Sequence, residues 1–169
     1  MRLSRNARRS ADRGGVDVTL VINGLDELKA RASVDLGRSQ WIQVTQERVN
    51  QFADATGDHQ WIHVDVEAAK AGPFRGTIAH GYLTLSLVIP MFGELLSVSG
   101  IRMGINYGLN RVRFLTPVPV GSRIRLAGKL AGVEQISGRS AQVLVDFTVE
   151  LEGSAKPACV AQAIFRYYA

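Results

Sequence analysis

Asp58 and His63 stand five residues apart in the segment FADATGDHQWIHVD, and a second histidine, His80, precedes Gly81 where the apolar run AHGYLTL begins. Carboxylate and imidazole are the side chains best suited to moving protons near neutral pH. A glycine at the start of a helix lets a ligand approach free backbone N–H groups, toward which the helix dipole draws negative charge. The four residues therefore suit an acid–base pair beside a candidate oxyanion site. Other readings of the same residues exist. Asp58 could simply cap a turn after Gly57, and His80 could fix the turn before the helix rather than exchange protons. His59 and His63, four apart, could with Asp58 mimic a set of metal ligands. However, HQWIH lacks the glutamate of the HExxH zinc motif, and Gly57 interrupts the helix that would present both rings, so no metal is expected.

The surrounding elements must hold these groups. Residues 24–32 have acidic side chains early and basic ones late, the order that complements a helix dipole, and Gly37 is expected to close that segment. Residues 41–44 read as a short strand. Thr45 can cap a helix over 46–55 that carries Glu47 in its first turn. Val49, Phe52, Ala53 and Thr56 recur at helical spacing and predict one buried face, and Gly57 ends the helix just before Asp58. A short helix is expected over 65–71, broken by Gly72-Pro73, with a connector to about residue 79. Residues 80–96 place apolar side chains all round a helical wheel, which predicts burial on most sides, and Pro90 should kink or end that helix.

From about residue 101 the period becomes two. Ala141, Val143, Val145, Phe147, Val149 and Leu151 alternate with polar residues, similar alternation covers 123–130, and 160–167 is apolar on both faces apart from Gln162 and Arg166. In 105–114 the apolar parity shifts, which predicts a bulge or bend near Asn110. The second half thus reads as an antiparallel meander, and wrapping it around the preceding helix buries both, an α+β arrangement.

Composition limits the partners. The chain of 169 residues fits one domain, taken as 19–169 behind a basic, disordered arm at 1–18. The formal charge of +5 is concentrated in residues 1–13 of that arm, where Arg2, Arg5, Arg8, Arg9 and Arg13 face only Asp12. The nearly neutral remainder argues against a nucleic-acid surface, and the arm lacks the apolar stretch of a secretory signal. Cys159 is the single cysteine, which excludes an intramolecular disulfide and multi-cysteine metal sites and points to a reducing cytoplasm. Its apolar flanks predict a buried thiol. The longest apolar run, 82–92, is too short to span a membrane.

Several motifs occur together and in order: GD-x-x-x-x-H after a helix, AHG opening a buried helix, N-x-V-R-F in a strand, then P-V-P-V-G. From Thr45 onward the chain resembles the MaoC-like (R)-specific enoyl-CoA hydratases and 3-hydroxyacyl-thioester dehydratases. The resemblance implies the hotdog fold, an antiparallel sheet wrapped around a long helix, and a homodimer with substrate tunnels near the subunit interface. It implies that Asp58 and His63 act on one water and that Gly81 offers its N–H to the thioester carbonyl. Ser86 falls where a site-lining serine is expected, and Tyr82 and His80 join Gly81 and Ser86 as substrate-binding positions. Tyr82 and Ser86 could equally pack in the core, and Ser86 lacks the G-x-S-x-G context of an acyl-enzyme nucleophile. The chain departs from the family's common D-x-N-P-x-H in carrying Gln60-Trp61. The implied substrate is an acyl-CoA or acyl-carrier-protein thioester and no cofactor is implied. A hotdog thioesterase and a non-catalytic acyl-binding subunit are the competing readings.

Overall fold

The computed structural model describes residues 19–31 and 33–169; the arm expected at 1–18 and the helix end expected at residue 32 lie outside the described residues. The chain opens with strand β1 (Leu20–Asn23), helix α1 (Gly24–Ala30) and strand β2 (Val34–Arg38). Gly37 does not close a helical segment. It lies inside β2 at φ 77°, where the pairing to the neighbouring strand shifts register and the Asp35 carboxylate accepts from its N–H at 2.9 Å. That left-handed backbone is what a bulge requires and glycine supplies without strain.

A two-residue strand β3 (Ile42–Gln43) leads into α2 (Gln46–Thr56). Thr45 caps α2 by accepting from the Arg48 N–H at 3.2 Å, and Gly57 ends it in the left-handed conformation. Val49 and Ala53 are buried beneath it, but Thr56, expected on the same face, is exposed and returns its hydroxyl to the Phe52 carbonyl at 2.7 Å. A single turn, α3 (Trp61–Val64), and α4 (Val66–Lys70), capped by the Asp65 side chain, follow. The one-turn α3 is too short to leave a periodic signal in the sequence.

The central helix comes in two segments, α5 (Gly81–Ser86) and α6 (Val88–Leu95), which meet at Leu87. The interruption lies upstream of Pro90 because proline acts on the turn before it: its ring crowds the carbonyl four residues back, that of Ser86, and it has no N–H to give. Burial is one-sided rather than all-round. Leu83, Thr84, Val88, Met91, Phe92 and Leu95 face the core, whereas Tyr82, Ser86, Ile89, Pro90 and Gly93 are exposed in the single chain.

Strand β4 (Leu96–Ser99) pairs in parallel with β1 to make a small separate sheet. The main sheet adds β5 (Met103–Phe114), β6 (Arg123–Gln135), β7 (Ser140–Leu151) and β8 (Cys159–Tyr168) in the order β2-β6-β7-β8-β5, with β3 also paired to β6. Only β6, β7 and β8 form a meander. β5 pairs with β8 at the far edge instead of with β6, its neighbour in sequence. Its register shifts twice, once at Asn106–Gly108 and again at Leu109–Arg111, the second being the bulge expected at Asn110. β7 alternates as its sequence predicts, with Val143, Val145, Phe147, Val149 and Leu151 all packed inward against the helices. An aromatic cluster, Phe92, Phe147 and Phe165, anchors α6 to the sheet, with Phe92 and Phe165 stacked at 5.0 Å. Among the described residues no helix is long and apolar enough to cross a membrane.

Candidate functional site

The site is built where the segment after α2 folds back on the start of α5. The Gly57 turn releases the chain at Asp58, whose carboxylate is about half exposed. One turn of α3 then carries His63 inward, leaving it 7% exposed. Its partner arrives from the connector before α5. Residues 77–79 are fastened to the P-V-P-V segment by the Ala79 N–H to the Val118 carbonyl (2.8 Å), the Val120 N–H to the Thr77 carbonyl (2.9 Å) and a bridge between Ile78 and Pro119. The Ile78 N–H in turn donates to the Ile62 carbonyl at 3.0 Å, so α3 and the connector lie side by side.

This arrangement determines how His63 is used. Its Nδ1 lies 2.7 Å from the Ile78 carbonyl oxygen. A carbonyl can only accept, so in the neutral ring Nδ1 carries the proton and Nε2 keeps its lone pair. His80, 2% exposed, stacks on His63 with ring centroids 3.8 Å apart. By the same logic His80 donates through Nε2 to the backbone carbonyl of Asp58 at 2.9 Å; the Asp58 carboxylate is 4.0 Å from that nitrogen. Nδ1 of His80 is buried without a hydrogen-bond partner. His80 thus grips the loop that presents Asp58 and supports the ring of His63 from one side.

Asp58, His63 and His80 each place one carboxylate oxygen or imidazole nitrogen within 4.8 Å of the others. These are donor types that metals accept, but the His80 Nε2 next to Asp58 is committed as an N–H to a carbonyl, which opposes coordination there. His59 stays outside this cluster. Its ring is exposed and sits 3.7 Å from Asp54 on the rim of α2.

Gly81 is the first residue of α5, so its N–H has no acceptor within the helix. It lines a cavity of about 260 Å³ together with His63, Thr84, Phe114 and the segment 115–118. A Cβ built on Gly81 would come within 3.1 Å of the Phe114 ring, a closer constraint than substrate approach alone. Tyr82 and Ser86 are not brought to this cavity. Tyr82 is 71% exposed with its ring edge-on to Phe114, and Ser86 is exposed and back-bonded to the Tyr82 carbonyl at 2.8 Å. A second cleft, about 210 Å³ and mostly apolar, begins one turn further along the helix at Leu85, Val88 and Ile89, and is lined by residues of β5 and β8 and by Phe147.

Sequence reasoning did not find Gln46, Thr77, Ile78 and Phe114. Ile78 meets the His63 ring through its carbonyl, which no residue-type pattern can reveal, and Gln46 lies on a helix whose sequence signals concern its cap and its apolar face.

The MaoC-like domain family matches residues 29–152. A Mycobacterium tuberculosis protein named 3-hydroxyacyl-thioester dehydratase Z is 57% identical over 143 residues, covering 85% of this chain and 95% of that one. Among solved structures, a protein described as a monoamine oxidase regulatory protein from Archaeoglobus fulgidus superposes with a TM-score of 0.72 at 22% identity, covering 90% of this chain and 98% of the other. An (R)-hydratase from A. caviae involved in PHA biosynthesis superposes with a TM-score of 0.63 at 22% identity, covering 79% and 94%. These two likenesses establish the hotdog fold. The extent of the domain match, together with the close relative, shows that the chain belongs to the MaoC-like dehydratase family.

Proposed function

We propose that this protein interconverts trans-2-enoyl and (R)-3-hydroxyacyl thioesters by adding or removing water, with Asp58 and His63 acting on that one water. The observation that carries the reading is the pairing of an ionisable carboxylate with a buried imidazole whose lone pair is left on Nε2 by the bond to Ile78. A water donating to both groups would point its oxygen lone pairs at C3 of the enoyl group. Asp58 takes the proton as the C–O bond forms and returns one to C2 on the same face, giving syn addition. The charge that develops on the thioester oxygen is met by the Gly81 N–H in the cavity that His63 also lines. The apolar cleft further along the helix suits the acyl chain. The name of the close M. tuberculosis relative, a 3-hydroxyacyl-thioester dehydratase, supports this substrate class.

The proposal includes a homodimer. The edge strand β5 exposes Met103, Ile105, Tyr107, Leu109 and Phe114, and Tyr82 and Ile89 of the central helix are exposed as well. A second copy would cover this surface and close the acyl cleft. A thioester substrate and a lone buried cysteine fit a cytoplasmic setting.

Purified protein should hydrate crotonyl-CoA or a longer enoyl-CoA, followed by loss of enoyl absorbance, and give the (R)-alcohol on chiral analysis. Asp58→Asn should lower kcat by at least about a hundredfold, the usual loss on removing an acid–base group. Wild-type turnover in Asp58→Asn would overturn the mechanism, and release of free CoA from saturated acyl-CoA without hydration would replace it with thioester hydrolysis.

A further inference from the structure

One side chain outside the cavity ties together the two segments that set the orientation of His63. Gln46, in the first turn of α2, donates through Nε2 to the backbone carbonyl of His63 at 2.7 Å and to Asn50 Oδ1 at 2.9 Å. Its Oε1 accepts from the hydroxyl of Thr77 at 2.6 Å. Because the His63 carbonyl can only accept, the amide must face it with nitrogen, which fixes which end of Gln46 is which. Two of these three partners, those outside α2, have a particular placement. One is the backbone of His63, and the other is the residue immediately before Ile78, the acceptor of His63 Nδ1. Thr77 is itself buried, 7% exposed, and its backbone carbonyl is held by Val120. The Gln46 amide therefore spans both flanks of the Nδ1–H···O=C bond that leaves Nε2 bare.

We propose that Gln46 is a positioning residue for His63: by holding the His63 carbonyl and the Thr77 hydroxyl at a fixed separation, it keeps the imidazole in the Nδ1–H form with Nε2 directed at the water. The inference rests on the hydration reading given above. Glutamine is required at this position by its chemistry. The site asks for a donor toward one carbonyl and an acceptor toward one hydroxyl, and neither glutamate nor an apolar residue of the same length supplies both.

The test compares Gln46→Met, which keeps length without polar atoms, and Gln46→Glu, which keeps the acceptor for Thr77 but sets an anionic oxygen against the His63 carbonyl. Two readouts are taken on each: steady-state kinetics with crotonyl-CoA, and the ¹⁵N resonances of the His63 ring, which report its tautomer directly. Both variants should lose about tenfold to a hundredfold in kcat, as small misplacements of a catalytic group do, with KM changed far less. Their His63 spectra should show a mixed tautomer population where the wild type shows Nδ1–H alone. Thr77→Ser, which keeps the hydroxyl, should behave as wild type, and Thr77→Val should share the loss without adding to that of Gln46→Met. Folded Gln46 variants with wild-type kcat and wild-type His63 resonances would overturn the proposal. If either Gln46 variant fails to fold, Thr77→Val removes one of the two bonds from outside α2 and its kinetics and spectrum decide. If the wild-type protein does not hydrate enoyl thioesters, the hydration reading fails separately, and an unchanged tautomer in Gln46→Met or Thr77→Val would still refute the role assigned here.

Discussion

The proton on His63 is placed by an oxygen that belongs to no functional side chain, the carbonyl of Ile78. Under the proposed mechanism, His63→Ala should remove both the water's second acceptor and a buried hydrogen bond, lowering kcat by about a hundredfold or more in a steady-state assay. Gly81 raises a different question, because its missing Cβ makes room for Phe114. Gly81→Ala is expected to cost about 1 kcal/mol of stability through overpacking. Adding Phe114→Leu should recover that stability in a denaturant titration, and any activity still missing from the double variant measures how closely the substrate approaches the backbone. Cys159 does not line the cavity at Gly81. It is fully buried, and burial pushes its thiol up to about 11, so the thiolate that reacts with disulfide reagents is scarce at neutral pH. The native protein should show no reaction with such a reagent at pH 8 over minutes, and stoichiometric reaction once unfolded.

At the scale of elements, the loop that carries Asp58 depends on how α2 stops. Gly57 has φ 77° with open space around its missing Cβ, so Gly57→Ala tests backbone strain alone and should cost about 1–2 kcal/mol, read as a lowered midpoint in urea. The outer face of the sheet is held differently. Glu150 on β7 accepts from Arg125 at 2.6 Å and from Arg38 at 3.0 Å, linking β7 to β6 and β2. Partial burial acts to raise its pKa, but the bonds and charge of Arg125 and Arg38 together outweigh burial and hold it below the ordinary glutamate value. A carboxyl lowered in the folded state stabilises the protein above its unfolded pKa and loses that contribution as pH falls through the folded value. Glu150→Gln should accordingly destabilise the protein by roughly 1 kcal/mol at pH 7, and its difference from wild type in urea titrations over a pH series should shrink as pH falls through the lowered folded-state value. The broken central helix is an element-level effect too: Pro90 interrupts it one turn upstream at Leu87, between the Gly81 end and the segment that packs on Phe147 and Phe165.

For the whole molecule, the determining feature is that β5 lies at the edge beside β8 rather than beside β6. That places an open strand edge and a set of exposed apolar side chains next to the exposed side of the central helix. Under the dimer proposed here, Ile105→Asp puts a charge into the covered surface and should yield a monomer by light scattering with reduced hydration activity. A variant that remains dimeric would place the interface elsewhere. Much of the architecture was legible without coordinates, because it rests on local rules. The cap at Thr45, the stop at Gly57, the inward alternation of β7 and the bulge at Asn110 each follow from residue types within a few positions of one another. The expectations that failed involve distant partners. The helical-wheel pattern of 80–96 predicts burial on most sides, but which side of a helix is covered depends on where β5 goes. Gly37 resembles a helix stop in the sequence because a glycine after a helical segment looks the same whether it ends that segment or turns a bulge in the next strand.

By itself, the sequence determined which residues could move protons, that they follow a helix stop, and that a helix with Gly81 at its start precedes an alternating sheet, because spacing and turn chemistry are properties of neighbours along the chain. Only the tertiary structure decided what those residues can do. It stacked His80 on His63, turned Tyr82 and Ser86 away from the cavity, and supplied the Ile78 carbonyl and the Gln46 amide that orient the imidazole. The physical reason is that hydrogen bonds to backbone carbonyls fix tautomer and direction, and every residue has such a carbonyl, so its importance appears only when folding brings a donor to it.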